Sequence, residues 1–169
     1  MGDEFTRFFD DHYEPIVRSL TLVFGDRTRA EDAAQAGFER AYRKWRTVGS
    51  LDRPATWVYV VALRDARRQL QREDRRPRPD LELEPVGFDD ASATGMDIRA
   101  SLATLPLRQR TAVVLRYLGG LSGAEVATAM GCTEGTVKAT LHHAIARLRI
   151  DLTDEESLRD DDGVVRDAS

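Results

Sequence analysis

The chain has 169 residues, of which 41% are hydrophobic and 32% are charged, and its formal net charge is −4. This length suits one ordinary domain or two small ones. No apolar run is long enough to span a bilayer, and a single cysteine, Cys132, excludes an internal disulfide. We therefore expect a globular protein in the reducing cytoplasm.

The charges are unevenly distributed. Residues 64–78 contain seven arginines and three acidic residues, whereas residues 151–169 contain eight acidic residues and two arginines. Because charges more than about 10 Å apart are screened at ordinary salt, a basic segment can bind phosphates within an acidic protein. The basic residues are Arg except for Lys44 and Lys138. This bias suits bidentate phosphate contacts, or it reflects GC-rich coding DNA.

The first two predicted helical segments contain aromatic and aliphatic residues at helical spacing. Phe5, Phe8 and Phe9 mark one face of the first segment. Pro15 is expected in the first turn of a separate second segment, since proline is tolerated there, and Gly25-Asp26 is expected to end it.

Two more helical segments are predicted before residue 77. Thr28 and Glu31 have the spacing of a capping box for a helix that runs from Arg29 to about Trp45. Residues 46–52 are expected to form a loop. Pro54 fits the first turn of the next helix, which continues into the Arg-rich segment.

The chain is predicted to be all-α, with two small helical domains joined by an acidic flexible linker. The N-terminal domain is expected at residues 1–76 and the linker at residues 77–97, where proline, glycine and acidic residues replace apolar ones. The C-terminal domain is expected at residues 98–152, with helices over 98–103 and from Pro106 to Leu118. Residues 153–169 are predicted to be a disordered acidic tail.

Residues 121–148 have the layout of a helix-turn-helix. Ser122 and Glu125 form a capping box for the first helix, Gly131 suits a left-handed helix end, and Thr133 can cap the second helix. The second helix has one apolar side and one polar side, and the polar side could meet phosphates or base edges in a major groove. Helix pairs joined at a glycine also occur in proteins that never touch DNA, so this pattern alone does not decide the function.

The sequence contains no arrangement typical of an enzyme. It has no Gly-rich phosphate loop. His142 and His143 are adjacent, so they diverge by about 100° on a helix and cannot share a metal as a pair at i and i+4 would. Cys132 has no identifiable His partner. We therefore expect no catalytic residues, no metal and no other cofactor.

Three segments in this order resemble one protein family. They are AEDAAQAGFERAYRKW at residues 30–45, ATWVYVVALRDARRQLQREDRR at 55–76, and the segment from LATLPLRQRT to LHHAIARLR at 102–149. They are similar to bacterial RNA polymerase sigma factors of the extracytoplasmic-function group, of the SigE-like actinobacterial type. The resemblance covers about residues 5–152. It implies that the chain binds core RNA polymerase, recognises promoter DNA and initiates transcription, and the family commonly has an anti-sigma factor as a further partner.

The resemblance also implies a polymerase-binding face. In the family, the helix with the AEDxxQ motif docks on a coiled coil of the largest polymerase subunit. Here Asp32, Gln35 and Glu39 would share one exposed face at separations of three and four residues. Their oxygens could accept hydrogen bonds from arginines of a partner helix. Without the resemblance, a solvated helix face is the simpler interpretation.

The family's minus-ten contacts correspond to the predicted loop and the helix after it. Holding an opened strand requires aromatic platforms and cations, and stacking contributes roughly 1–3 kcal/mol per base. Trp57 and Tyr59 are the aromatic candidates; both could instead pack in the core, which is the favoured interpretation for Trp57. Many relatives have Asn where this chain has Arg64, which leaves base choice open because Arg cannot accept a hydrogen bond. The implied minus-ten residues are Arg46, Thr47, Gly49, Ser50, Trp57, Tyr59, Arg64, Arg67 and Arg68.

The second helix of the helix-turn-helix corresponds to the family's minus-thirty-five reader. Relatives have a Ser-Arg pair where this chain has Ala139 and Thr140, and Arg where it has His143. Since fewer phosphates would be neutralised, we expect weaker or altered recognition and a shallower salt dependence. The implied contact residues are Thr133, Thr136, Lys138, Ala139, Thr140, His142, His143 and Arg147.

Two other functions remain open at this point. A free-standing helix-turn-helix regulator with a sensing N-terminal half could have the same reading helix. The other is a sigma-like protein that binds polymerase but has lost promoter specificity. Arg64, Thr140 and His143 make it credible, because they differ from the residues of many relatives. The acidic linker is either a solubilising spacer or, as in the family, a segment that passes through the polymerase cleft.

Overall fold

A computed structural model describes residues 2–73 and 93–161, and within these ranges the chain is helical with no strand, as predicted. The N-terminal module (residues 2–73) contains α1 (Gly2–Phe24), α2 (Arg27–Arg43), α3 (Trp45–Val48) and α4 (Pro54–Glu73). The C-terminal module (residues 93–161) contains α5 (Ala93–Thr104), α6 (Leu107–Val113), α7 (Gly123–Met130) and α8 (Glu134–Asp161).

The N-terminal end of the chain forms one helix, not the two predicted segments. Pro15 lies inside α1, so the carbonyl of Asp11, four residues earlier, receives no helical hydrogen bond from it. Both residues are exposed, and water can therefore satisfy that carbonyl. Because Ile16, Val17 and Leu20 are buried directly after the proline, packing holds the helix together through it.

The predicted capping box at Thr28 is also wrong. The N-cap of α2 is Asp26, whose side chain accepts a hydrogen bond from the backbone N–H of Arg29 at 3.1 Å. A carboxylate two residues earlier has the advantage of its negative charge at the positive end of the helix.

α2 and α4 cross closely at Gly37. A Cβ at this position would stand 2.9 Å from Val58 Cγ1 and 3.1 Å from the Val58 carbonyl oxygen. The alanine-rich side of α2, with Ala33 and Ala34 fully buried, extends the same contact. The close crossing fixes the faces of α2 and α4 relative to each other.

Part of the predicted loop over residues 46–52 is helical. α3 begins at Trp45 and ends at Val48, and both of these side chains are buried. Phe5 and Phe8 of α1 contact the Trp45 ring, with centroids 5.2 and 5.0 Å away. This aromatic packing draws the short turn onto the core.

The C-terminal module differs from the prediction at both of its ends. α5 begins at Ala93, before the predicted start at Ile98, and the backbone of α8 is helical as far as Asp161, where a disordered tail was predicted. The predicted helix from Pro106 to Leu118 is α6 followed by a π-helical turn over Val114–Leu118. Most of the predicted linker, residues 77–92, together with Arg75, Arg76 and residues 162–169 lie outside the described residues.

The two modules pack against each other, mainly through α4 and α7, and α1 also contacts α6. The sequence made no prediction about this arrangement. It brings the helix-turn-helix against the Arg-rich helix of the N-terminal module.

Candidate nucleic-acid and partner interfaces

The outer face of α2 carries the three predicted polymerase-binding residues. Asp32, Gln35 and Glu39 are all exposed, since the opposite side of the helix is buried against α1 and α4. Glu39 forms an ion pair with Arg43 on the same helix. The face thus offers several acceptor oxygens to cationic groups of a partner.

α3 and the residues directly after it border an open depression. Trp45, Arg46, Gly49 and Ser50 line it, together with Glu4 of α1. A Cβ on Gly49 would stand 2.9 Å from the Trp45 carbonyl oxygen and equally close to its ring, so only glycine fits there. Ser50 Oγ donates to the Thr47 carbonyl at 2.9 Å, which tightens the turn.

The two aromatic candidates on α4 have different environments. Tyr59 is 4% exposed, and its hydroxyl donates to Ser19 Oγ at 3.0 Å. Burial raises the pKa of Tyr59, and the hydrogen bond with Ser19 offsets part of that rise. Tyr59 is therefore a core residue, and its prediction as a stacking platform is corrected. Trp57 is half-buried: it packs against the core and also lines an open groove.

The predicted basic residues of α4 face outward. Arg64, Arg67 and Arg68 are exposed, while Asp65 between them pairs with Arg40 of α2 at 2.7 Å. One of the three already has a partner in the C-terminal module: Arg67 Nη1 donates to the carbonyl of Met130 at 3.3 Å. The helix surface is cationic and partly covered by α7.

Sequence reasoning missed Arg53 and Thr56, which contact the C-terminal module. Arg53 Nη1 donates to Glu125 Oε2 at 2.6 Å, and its Nη2 donates to the Gly120 carbonyl at 2.9 Å. Thr56 Oγ1 donates to Glu125 Oε1 at 2.9 Å. Nothing in the periodicity marks these positions, because the contact joins parts of the chain about 70 residues apart.

Glu125 has two roles in this contact. Its carboxylate accepts from the Ser122 backbone N–H at 2.7 Å, and Ser122 Oγ accepts from the Glu125 N–H at 3.2 Å, so the predicted capping box is present. Burial by itself raises the pKa of Glu125. The hydrogen bonds from Ser122 and Thr56 and the charge of Arg53 outweigh burial, so the pKa is lowered overall. The carboxylate is therefore held in its charged form.

The second helix of the helix-turn-helix presents its polar side to solvent. Gly131 has φ 66° at the end of α7, and Thr133 Oγ1 accepts from the Thr136 N–H at 3.2 Å at the start of α8, as predicted. Val137 and Ala144 are buried on the other side. Thr133, Lys138, Ala139, His142, His143 and Arg147 are exposed, whereas Thr136 and Thr140 are half-buried.

The Thr140 hydroxyl has a local partner. Its Oγ1 donates to the Thr136 carbonyl at 2.7 Å, so its proton is already used within the helix. The longer, charged side chains of Lys138 and Arg147 are the groups of this face best suited to reach phosphates.

The described residues contain neither a metal-binding cluster nor a membrane-spanning helix. Within residues 2–73 and 93–161, no group of three or more His, Cys, Asp or Glu side chains is arranged to hold a metal ion. None of the helices described in these ranges is long and apolar enough to cross a membrane.

Comparison with known proteins matches both modules. The family described as Sigma-70 region 2 matches residues 8–76, and the family described as Sigma-70, region 4 matches residues 95–148. The RNA polymerase sigma-E factor of Streptomyces coelicolor is 30% identical over 157 residues, which cover 90% of this chain and 89% of that protein. The ECF RNA polymerase sigma factor SigL of Mycobacterium tuberculosis is 31% identical over 159 residues, covering 85% and 86%.

A solved structure has a similar fold. The sigma factor RpoE of Bartonella quintana, crystallised with the anti-sigma factor NepR, aligns with a TM-score of 0.65 at 22% identity, over 88% of this chain and 96% of that one. The two helical modules occur in the same order as in that structure, and the relatives match along nearly their whole length. The exposed faces of α2, α4 and α8 are consistent with the same family. The chain belongs to the RNA polymerase sigma factors of the extracytoplasmic-function type.

Proposed function

We propose that this sigma factor binds core RNA polymerase through α2, holds the opened minus-ten strand with the segment after α3 and with α4, and reads the minus-thirty-five element with α8. Promoter-directed initiation of transcription follows from the three contacts together. The observation that carries the proposal is the order of three exposed polar faces along the chain: acceptors on α2, cations on α4 and a polar reading face on α8.

The α2 face is suited to a cationic partner helix. Asp32, Gln35 and Glu39 are exposed at separations of three and four residues. Their oxygens can accept charge-assisted hydrogen bonds from arginines. The close crossing at Gly37 keeps this face in a fixed position relative to the strand-binding surface of α4.

The minus-ten surface is suited to an unpaired strand. The depression lined by Trp45, Arg46, Gly49 and Ser50 is open to solvent and can receive a base that has left the duplex. Unpairing costs a few kcal/mol per step. Contacts made only with the opened strand, from the Trp57 ring and the outward arginines Arg64 and Arg68, would offset that cost.

The upstream surface is suited to a duplex. α8 has caps at its start and a polar face open to solvent, as a helix in a major groove requires. Its charge is modest, because Thr140 and His143 stand where relatives have Arg. Recognition by this helix is therefore proposed to be weaker, or of altered sequence, compared with Arg-rich readers. We further propose an anti-sigma factor as a partner, as is common in the family, and the cytoplasm, where bacterial transcription takes place, as the compartment.

The proposal is tested by gel filtration of the full chain with core RNA polymerase, followed by run-off transcription. The wild type is expected to co-elute and to initiate. The double variant Asp32→Ala/Gln35→Ala is expected to lose co-elution. Asp10→Ala, at an exposed acidic residue of α1, serves as the control and is expected to behave as wild type.

Each result separates the proposal from an alternative. Co-elution without initiation would favour a polymerase-binding protein that has lost promoter specificity. Absence of co-elution would favour a free-standing helix-turn-helix regulator. Loss of co-elution in both the α2 variant and the control would show that the effect is not specific to the α2 face.

A further inference from the structure

The structure shows α7 held by the N-terminal module at both of its ends. At the start of α7, Glu125 accepts hydrogen bonds from Arg53 and Thr56. At its end, the Met130 carbonyl accepts from Arg67. A guanidinium is well suited to that end, since the last carbonyls of a helix carry partial negative charge. All three donors belong to α4 or to the residue just before it.

The Glu125 carboxylate occupies a group of donors that suits a phosphate. One guanidinium nitrogen of Arg53 and the Thr56 hydroxyl reach the carboxylate, and donors of these two kinds commonly hold phosphodiester oxygens. Arg53 and Thr56 follow directly after the minus-ten depression along the chain. They line one open groove with Trp57, Val60 and Arg64, and the opposite wall of that groove is α7.

We propose that Arg53 and Thr56 bind a backbone phosphate of the opened minus-ten strand, and that Glu125 occupies this phosphate site in the closed arrangement and so restrains strand binding. This inference rests on the proposed function. It assigns Arg53 and Thr56 to strand binding. It also explains why the two modules stay packed together in the free protein.

Promoter geometry requires the modules to separate. The two elements lie about 25 base pairs apart, which at 3.4 Å per base pair is about 85 Å. A compact chain of this length has a radius of gyration of about 15 Å. With Arg53 bonded to Glu125, one molecule cannot reach both elements. Opening is therefore a necessary step, and the contact at Glu125 opposes it.

The interface between the modules favours a reversible contact. A half-open pocket of about 250 Å³ remains between them, lined by Leu63, Leu70, Leu107 and Met130 and also by Arg64, Arg67 and Arg108, so the modules are incompletely packed there. Arg110 of α6 lies against the end of α1, near Gly25. Burial lowers the pKa of Arg110, and its Nε has no hydrogen-bond partner. Separation would return this cation to water.

Closure affects the two DNA-binding surfaces differently. The polar face of α8 stays exposed, whereas Arg53, Thr56 and Arg67 are engaged by α7. The closed form can thus contact the upstream duplex before the strand-binding surface becomes free.

The test uses the full chain and compares four variants with the wild type. Glu125→Gln removes the charge but can still complete the capping box, so α7 is expected to fold. Asp10→Asn removes one negative charge at an exposed position of α1 and is the matched control. Arg53→Gln is made alone and together with Glu125→Gln. Dyes at Arg7→Cys and Ala146→Cys, in a Cys132→Ser background, report separation of the modules by energy transfer.

Strand binding is measured by fluorescence anisotropy with a short single-stranded DNA of mixed sequence. Relative to Asp10→Asn, Glu125→Gln is expected to lower energy transfer and to raise affinity about two- to fivefold, the size typical of a partly exposed ion pair. Arg53→Gln should cost more affinity in the Glu125→Gln background than in the wild type, because only there is the arginine free for the strand.

Two results would overturn the inference. If Glu125→Gln changes energy transfer no more than Asp10→Asn does, the contact does not hold the modules together. If the modules open but Arg53→Gln lowers affinity equally in both backgrounds, or not at all, Glu125 does not occupy a phosphate site. Co-elution of the wild type with polymerase is a separate measurement, so failure of this inference leaves the proposed function testable, and the reverse also holds.

Discussion

The crossing of α2 and α4 at Gly37 makes a quantitative prediction possible. In Gly37→Ala, the new methyl group would stand 2.9 Å from Val58 Cγ1, compared with an ordinary carbon–carbon contact of about 3.5–4.0 Å. It would also stand 3.1 Å from the Val58 carbonyl oxygen, a backbone atom that cannot rotate away. The two helices would have to move apart by several tenths of an ångström.

Two free energies oppose each other in this variant. Alanine favours the helix over glycine by about 1 kcal/mol, while overpacking of a tight contact costs about 1–3 kcal/mol. We expect a net loss of up to about 2 kcal/mol in the free energy of unfolding. Val58→Ala alone should cost roughly 2 kcal/mol through the cavity that it leaves.

A double-mutant cycle separates the steric contact between residues 37 and 58 from the helix propensity of alanine. Unfolding by urea would be measured for the wild type, both single variants and Gly37→Ala/Val58→Ala. Because the second substitution removes the clashing Cγ1, Val58→Ala should cost about 1 kcal/mol less in the Gly37→Ala background. Additive effects, or a stabilised Gly37→Ala protein, would refute the close crossing.

Four further predictions follow from single contacts. Ser122→Ala should destabilise the protein by about 0.5–2 kcal/mol in chemical unfolding through loss of the N-cap of α7, and an unchanged midpoint would contradict the capping box. Trp57→Leu should keep the apolar contact with the core but lower single-strand affinity at least about fivefold through lost stacking, whereas equal affinity would make Trp57 a core residue only. Thr140→Arg/His143→Arg should steepen the salt dependence of duplex binding by up to about 2 in logarithmic slope, and a slope equal to that of the wild type would show that these positions do not face DNA. The folded-state pKa of Glu125 is lowered, so its stabilising contribution is present above its ordinary pKa and lost as the pH falls through the lowered one. The stability difference between wild type and Glu125→Gln should therefore shrink as the pH falls below the ordinary value of 4.5; a constant difference would contradict the assignment.

Sequence reasoning succeeded where the signal is local. The capping box at Ser122 and Glu125, the left-handed Gly131 and the Thr133 cap each depend on residues within one helical turn, and all three are present. The start of α4 at Pro54 is local in the same sense. Such features follow from the side chains at fixed offsets from a helix end.

It failed where packing overrides local preference. Proline is typical of the first turn of a helix, so Pro15 predicted a helix start. The buried residues on either side of it nevertheless keep α1 continuous. Tyr59 and Trp57 are both aromatic residues near the start of α4, and only the tertiary packing shows that Tyr59 is the buried one, with its hydroxyl bonded to Ser19 of α1. The segment after α2 contains a turn of helix because Trp45 and Val48 find a buried site.

The contact between the modules had no signal in the sequence. Arg53 and Glu125 are single charged residues without periodicity, and the same Glu125 already had an explanation as part of a capping box. Only the tertiary arrangement shows that its carboxylate has further donors in Arg53, just before α4, and in Thr56 of α4. The helical spacing of the polar residues predicts that the α2 and α8 faces are exposed. It does not predict that α7 partly covers the α4 face.

The central claim is that this chain directs polymerase by contacting two promoter elements at once. The most direct measurement is to transcribe fragmented genomic DNA with core RNA polymerase, with and without the full chain, and to sequence the transcript starts. The account predicts new starts that share one sequence element near minus ten and a second near minus thirty-five. No new starts, or starts that share only one element, would contradict it.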